Sequence, residues 1–159
     1  MIKHRLRHIR EALGAVYLTR FYIWGAPRMS DGSSPFEPQG AVRLGATRAR
    51  GTQGFFHKVA RSDERPELHN HPWDWAYALI LWGGYLEERC EGMFGPITRR
   101  RVWPGQVVWL GRNTYHRIEL IDRRPSYSFF LAGPLCSAWG FIDKLTRKYT
   151  PARMLRGAK

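Results

Sequence analysis

Apolar and polar positions divide the 159-residue chain into two kinds of pattern. Near the start, Ile2, Leu6, Ile9, Leu13 and Val16 recur at three- and four-residue steps, with Arg5, Arg7, Arg10 and Glu11 between them. That spacing predicts an amphipathic helix with a basic outer face. Residues 25–40 (GAPRMSDGSSPFEPQG) are rich in Pro, Gly and Ser and read as an irregular connector. Beyond them the runs shorten. GFFHKVA (54–60) is β-rich and ends in the polar turn RSDERPE, and AYALILW (76–82) is a continuous apolar run broken by Gly83 and Gly84 before YLEE resumes. Further strands are predicted at 97–103, 106–110, 115–121 and 126–132, with turns at 92–96 and at Pro104 and Gly105. Short strands at regular spacing, punctuated by Gly and Pro, predict an all-β sandwich or barrel. The expected layout is a helix and connector over 1–50, a barrel over 51–135, and a basic tail over 136–159 packing on the barrel, with a short helix near 141–149.

Composition narrows this picture. A chain of this length makes one domain with a real core. Seven Trp make that core, or a pocket within it, aromatic-rich. Cys90 and Cys136 form no disulfide framework and no CxxC pattern, which suits a reducing interior. Lys3, Arg5, Arg7 and Arg10 interrupt any apolar leader, and no run approaches the roughly 18 apolar residues of a membrane span, so a cytoplasmic location is expected. The net charge of +13 raises nucleic acid as a partner. Arg greatly outnumbers Lys, however, and the charge is spread along the chain, so nucleic acid is the lesser reading; small anionic substrates fit equally well. GxSxG, P-loop and GxGxxG patterns do not occur, which leaves hydrolase-elbow, nucleoside-triphosphatase and dinucleotide readings without footing.

The chemistry-bearing cluster is His69-Asn70-His71, followed by His116. On a strand, side chains at i and i+2 leave the same face roughly 6.5 Å apart. Two such imidazoles, joined by a third from a neighbouring strand, can hold one cation and leave coordination positions open. His57, on the strand before, is a satisfied core histidine, a donor behind the site, or a fourth ligand. By parity with His71, Trp73, Trp75 and Tyr77 are expected to face the interior and line a pocket. Trp82 and Trp103 could stack a ligand or simply fill a core. Tyr85, Tyr115 and Tyr127 offer further hydroxyls, and Tyr77 and Tyr115 are the candidate acid–base residues. Glu87, Glu88 and Glu119 either orient an imidazole or stand exposed. Within the run Arg99, Arg100 and Arg101, one guanidinium, Arg100, is the candidate for an inward contact to a substrate anion. Both cysteines read as small apolar residues.

A histidine pair at the start of an apolar strand, then a Pro-Gly turn and a lone histidine, resembles the cupin superfamily over about residues 51–133. The family's second motif runs Gly, five residues, Pro, one residue, Gly, two residues, His. Gly105, Gly111, Asn113 and His116 keep that spacing, with Gly111 and Asn113 in place of the Pro and second Gly. His69 and His71 match the HxH of the first motif, and Gly83 its later glycine. The resemblance implies a double-stranded β-helix, a jelly-roll barrel, that binds one divalent transition metal. The family's glutamate ligand would fall at Trp75 or Ala76, neither of which can bind a metal, and Asp74 would point away on a regular strand. A three-histidine site of His69, His71 and His116 remains, similar to the thiol dioxygenase branch. It implies Fe(II) first, with Zn or Ni as alternatives, and a non-haem Fe(II)-dependent dioxygenase acting on a small molecule. The alternatives are metal-assisted isomerisation or epimerisation of a sugar or keto acid, and a non-catalytic module that binds an anionic ligand or nucleic acid. HNHPW and HRIEL also resemble small bacterial and phage cupins of unassigned role. Cupins often pair, so a homodimer is expected.

Overall fold

Alternation of buried and more exposed residues along strands such as β5, β8 and β10, more than the length of any apolar run, sets the layers of this molecule. The computed structural model describes residues 5–10, 16–36, 42, 46–47, 51–136 and 139–155. Among these, twelve strands occur: β1 (Leu6–Arg10), β2 (Val16–Trp24), β3 (Gln53–Val59), β4 (Leu68–His69), β5 (Trp75–Trp82), β6 (Tyr85–Glu91), β7 (Thr98–Val102), β8 (Val107–Gly111), β9 (Thr114–Leu120), β10 (Ser126–Ala132), β11 (Gly140–Ile142) and β12 (Tyr149–Pro151). A single helical turn, α1 (Ala152–Leu155), follows. The strands form two six-stranded antiparallel sheets, ordered β1-β2-β3-β10-β5-β8 and β12-β11-β4-β9-β6-β7. Neighbours such as β3 and β10, or β4 and β9, are distant in sequence, so long crossovers tie the sheets together in jelly-roll fashion.

The predicted all-β architecture holds, and the strands expected between 54 and 132 appear as β3 and β5 to β10. The N-terminal helix does not. Leu6 and Ile9 lie on β1 and Val16 begins β2, and the two strands pair antiparallel with Leu6 opposite Phe21; Ile2 and Leu13 fall outside the described residues. The reason is the partner. β2 (VYLTRFYIW) is dense in β-branched and aromatic residues and pairs with β3 along its length. Leu6 is 41% exposed while Ile9 packs against the core, so the expected stripe is not one continuous buried face. The helix expected near 141–149 is likewise a hairpin, with Gly140 opposite Pro151 and Ile142 opposite Tyr149. No helix among the described residues is long and apolar enough to cross a membrane.

Between the sheets lies a core that includes Tyr22, Phe55, Ile80, Val102, Val108, Ile118 and Phe130. The apolar run of β5 contributes only alternate members, Ala76, Ala78 and Ile80, while Tyr77, Leu79, Leu81 and Trp82 face out. Of the buried alanines of β5, Ala78 lines an open space between the sheets. A cavity of about 470 Å³ opens there, lined by both sheets. A second, smaller cluster of Leu68, Cys90, Tyr115 and Ile142 closes the back of the second sheet.

The turn from β5 to β6 depends on Gly83, whose φ is +82° and whose added Cβ would meet the Pro125 carbonyl oxygen at 2.3 Å. Gly92 shares a positive φ (+71°) but has open space around it. Gly83→Ala is expected to lose clearly more stability in chemical denaturation than Gly92→Ala, which carries only the left-handed backbone cost of about 1–2 kcal/mol. Equal losses would remove the steric part of this account.

Candidate metal centre

His69 ends β4 and stands directly opposite His116 of β9, so both imidazoles leave the same face of the second sheet. His71 lies beyond the strand and reaches the same place by a different route. Between the two, the Asn70 backbone N–H donates to the Gly140 carbonyl at 3.1 Å, and the Gly140 N–H donates back to Asn70 Oδ1 at 2.8 Å. The Cys136 N–H then donates to the Pro72 carbonyl at 2.9 Å, and the Asp74 N–H to that of Pro134 at 3.0 Å. This zipper to residues 134–140 turns the backbone and sets His71 inward.

The three rings converge, with centroids 4.9–5.2 Å apart. Each offers one nitrogen, and these nitrogens all lie within 4.8 Å of one another, a group that could hold a metal ion. His71 Nε2 and His116 Nε2 are 2.9 Å apart. Behind His116 sits Glu87 of β6, fully buried, with Oε1 2.8 Å from His116 Nδ1. A carboxylate only accepts, so Nδ1 carries the proton of this bond, and Nε2 faces the other histidines. Arg100 completes the chain, donating through Nε to Glu87 Oε2 at 2.7 Å. Burial pushes the Glu87 carboxyl up, but the bonds from His116 and Arg100 outweigh it and hold it below its usual range. Asp63 Oδ2 stands 3.8 Å from His69 Nδ1.

Burial lowers His69 to about 4, against the opposing pull of Asp63. His71 falls well below its ordinary value through burial, then through His116 and His69. At neutral pH these imidazoles are unprotonated, the form that binds metal. Neutral imidazoles without thiolate suit Zn, Cu, Fe and Ni, and a carboxylate behind a ligating histidine is the usual device for fixing its tautomer. The donor set fits a first-row divalent ion.

No protein-family model matches the chain, and no curated protein matches it in sequence. Solved structures do. A cupin 2 conserved barrel domain protein from Rhodopseudomonas palustris matches with a TM-score of 0.54 at 11% identity, over 87% of this chain and 77% of that one. The fold is that of the cupins. An Fe(II) form of HppE in complex with substrate matches at 0.51 and 10% identity, over 83% of this chain and 58% of the other. A recombinant oxalate oxidase in complex with glycolate gives 0.47 and 16% identity, over 61% of this chain; the present chain spans about half of that protein, 49%. Likeness at this level carries the fold and leaves activity to be argued from the site.

In this cupin barrel the residues expected at the site are distributed unevenly. Trp73 is buried, stacks on His71 at 5.4 Å between centroids, and lines the cavity. Trp75 and Tyr77 are outside its lining: Tyr77 is 43% exposed and packs on Trp109 on the outer face. Parity from His71 holds to Trp73 and then reverses, because Trp73 bridges to Leu135 before β5 begins. Tyr115 faces the back cluster with Tyr149, and burial raises its hydroxyl. Tyr85, by contrast, lines the cavity, its hydroxyl also raised by burial and then by Glu87. Arg100 is 48% exposed and outside the cavity lining, and its Nε and Nη2 are engaged by Glu87. Asp74 is drawn outward to Arg112 at 2.7 Å. Of the three carboxylates considered, Glu87 orients the imidazole, while Glu88 pairs with Lys144 and Glu119 with Arg99. His57 lines the cavity and accepts from Arg20 Nε at 2.8 Å. Sequence reasoning missed Arg20 and Asp63. Reading 16–24 as a strand would have placed Arg20 on the same face as Leu18 and Tyr22.

His57 is held well below its ordinary 6.5 by burial, then by the Arg20 and Arg7 cations. A group whose folded pKa is depressed gives stability that is present above the unfolded value and lost as pH falls below it. Thermal stability is therefore expected to drop as pH falls below about 6.5. His57→Gln should flatten that slope by up to one proton, about 1.4 kcal/mol per pH unit. Parallel profiles for the two proteins would contradict the assignment of a neutral His57.

Proposed function

We propose that this cupin barrel is a metal-dependent enzyme in which His69, His71 and His116 hold one divalent transition ion, Fe(II) foremost, and a small molecule is dioxygenated in the adjoining cavity. The observation that carries the reading is the convergence of three imidazoles, one oriented by a buried carboxylate, on a cavity of ligand size. Bound Fe(II) would supply the activation of O₂, and the chain supplies geometry and exclusion of water. Glu87 keeps the proton on His116 Nδ1. Trp73 fixes the plane of His71. Ala78, Leu110, Ile118 and Phe130 make the adjoining wall apolar. Tyr85, on the same sheet as His116 and held in its protonated form, can donate a hydrogen bond to a substrate oxygen. That hydroxyl also supports a second reading, metal-assisted isomerisation of a keto acid or sugar with Zn or Ni as the ion, where a donor beside the metal helps polarise a carbonyl. The expected setting is the cytoplasm and the expected assembly a homodimer, for which the outward Tyr77, Leu79, Trp82 and Trp109 offer an apolar face.

Metal analysis of protein purified without a histidine tag is expected to find about one ion per chain. His71→Ala should lose it, and Glu87→Gln should keep the donors while weakening the affinity about 10–100-fold. Full metal content in His71→Ala would sink the site. O₂ uptake that requires added Fe(II) and an organic substrate supports dioxygenation. Turnover of a keto acid or sugar by Zn- or Ni-loaded protein without O₂ uptake supports isomerisation instead.

A further inference from the structure

Arg20, on β2, is 6% exposed and lines the cavity. Its Nε donates to His57 Nε2 at 2.8 Å and its Nη1 to the Tyr22 hydroxyl at 3.4 Å. Its Cζ lies 4.3 Å from the Phe55 ring centroid and 5.2 Å from that of Trp73. Among the described residues none of these partners is a carboxylate, and none of the cavity-lining residues is Asp or Glu. A guanidinium removed from water without a counter-charge is destabilising, and proteins rarely keep one without use for it. Its Nη2, a double donor, is unused in this set of bonds.

A second buried donor next to it is also unpaired. The Trp73 indole Nε1–H has no hydrogen-bond partner, although Trp73 is only 4% exposed. The same ring lies 5.2 Å from Arg20 Cζ and stacks on His71. Arg20 therefore lies against the ring that stacks on His71, and that ring carries a buried N–H without an acceptor.

We propose that Arg20 and the Trp73 indole N–H form an anion subsite, and that the cavity's ligand is a small organic oxyanion whose charged end sits there while the remainder extends toward His71. The subsite itself stands on Arg20 and Trp73; only the orientation toward His71 rests on the metal reading. A guanidinium fork matches the paired oxygens of a carboxylate or of a phosphoryl group, and the rings against Arg20 hold its plane in advance of binding.

Calorimetry on the full chain tests this with three probes of similar shape: benzoate, phenylphosphonate and uncharged benzamide. At least one anion is expected to bind ten times more tightly than benzamide, and which one does so tells carboxylate from phosphoryl recognition. Arg20→Gln should weaken that anion at least tenfold, and Trp73→Phe, which keeps the ring and loses the donor, about threefold or more. Anions that bind no better than benzamide, or that bind Arg20→Gln as they bind wild type, overturn the proposal. Should Arg20→Gln fail to fold, Trp73→Phe and Arg20→Lys decide, and wild-type affinity in both overturns it. Arg20-dependent anion binding by a chain that holds no metal counts against the metal centre alone. A loaded metal centre without Arg20-dependent anion binding counts against the subsite alone.

Discussion

Glu87 is fully buried, and a carboxylate so placed is tolerated only where donors reach both of its oxygens. Removing such a group from water costs several kcal/mol even after the protein relaxes. Here His116 Nδ1 answers Oε1 and Arg100 answers Oε2. Both donors are delivered by register. Arg100 stands opposite Glu87 in the β6–β7 pair, and His116 lies two residues from Ile118, which stands opposite Glu87 in the β6–β9 pair. A slip of one residue in either ladder would send a partner to the other face and leave the charge alone. The buried charge, the register of three strands and the tautomer of one candidate ligand are thus a single constraint.

The other half of the centre obeys a different rule. His71 owes its position to the reciprocal pair between Asn70 and Gly140 and to the backbone bonds that follow it. Gly140 must be small for this, because a Cβ there would meet the Tyr149 hydroxyl at 2.5 Å and the Thr150 carbonyl oxygen at 2.6 Å. The hairpin of β11 and β12 therefore presses on the segment that carries His71, and β11 also pairs with β4 so that Phe141 faces His69. Residues far along the chain position a motif that looks local.

That difference explains what could be read from sequence. The strands from 54 to 132 were legible because alternation and Gly–Pro punctuation are local properties, and the three histidines were legible because their spacing is. The helix at the start was not excluded by its own residues: steps of three and four suit a helix, and only the pairing of Leu6–Arg10 with β2 decides otherwise. Parity failed between Trp73 and Trp75 because a contact with Leu135, sixty residues on, interrupts the strand. Arg20 was hidden for a similar reason. In a chain with this many arginines, nothing nearby marks the one that folds inward.

The location of charge, more than its amount, sets what the cavity can admit. Many of the basic residues behind the net charge of +13 are surface groups, and several are already paired, as Arg99 is with Glu119 and Arg112 with Asp74. Exposed pairs of this kind contribute little to stability or selectivity. Inside, the balance is different. The position where the cupin resemblance would place a glutamate ligand is filled by Trp75 or Ala76, of which Ala76 is the buried one, and the buried carboxylate that does exist, Glu87, is answered by Arg100. Any divalent ion held by His69, His71 and His116 would keep its full charge, since neutral imidazoles cancel none of it. Arg20 adds another positive group to the same cavity. A histidine set without an acidic ligand and a buried guanidinium without a carboxylate partner act in one direction, and beside apolar walls, where charges are less screened than in water, both favour an anion over its neutral analogue.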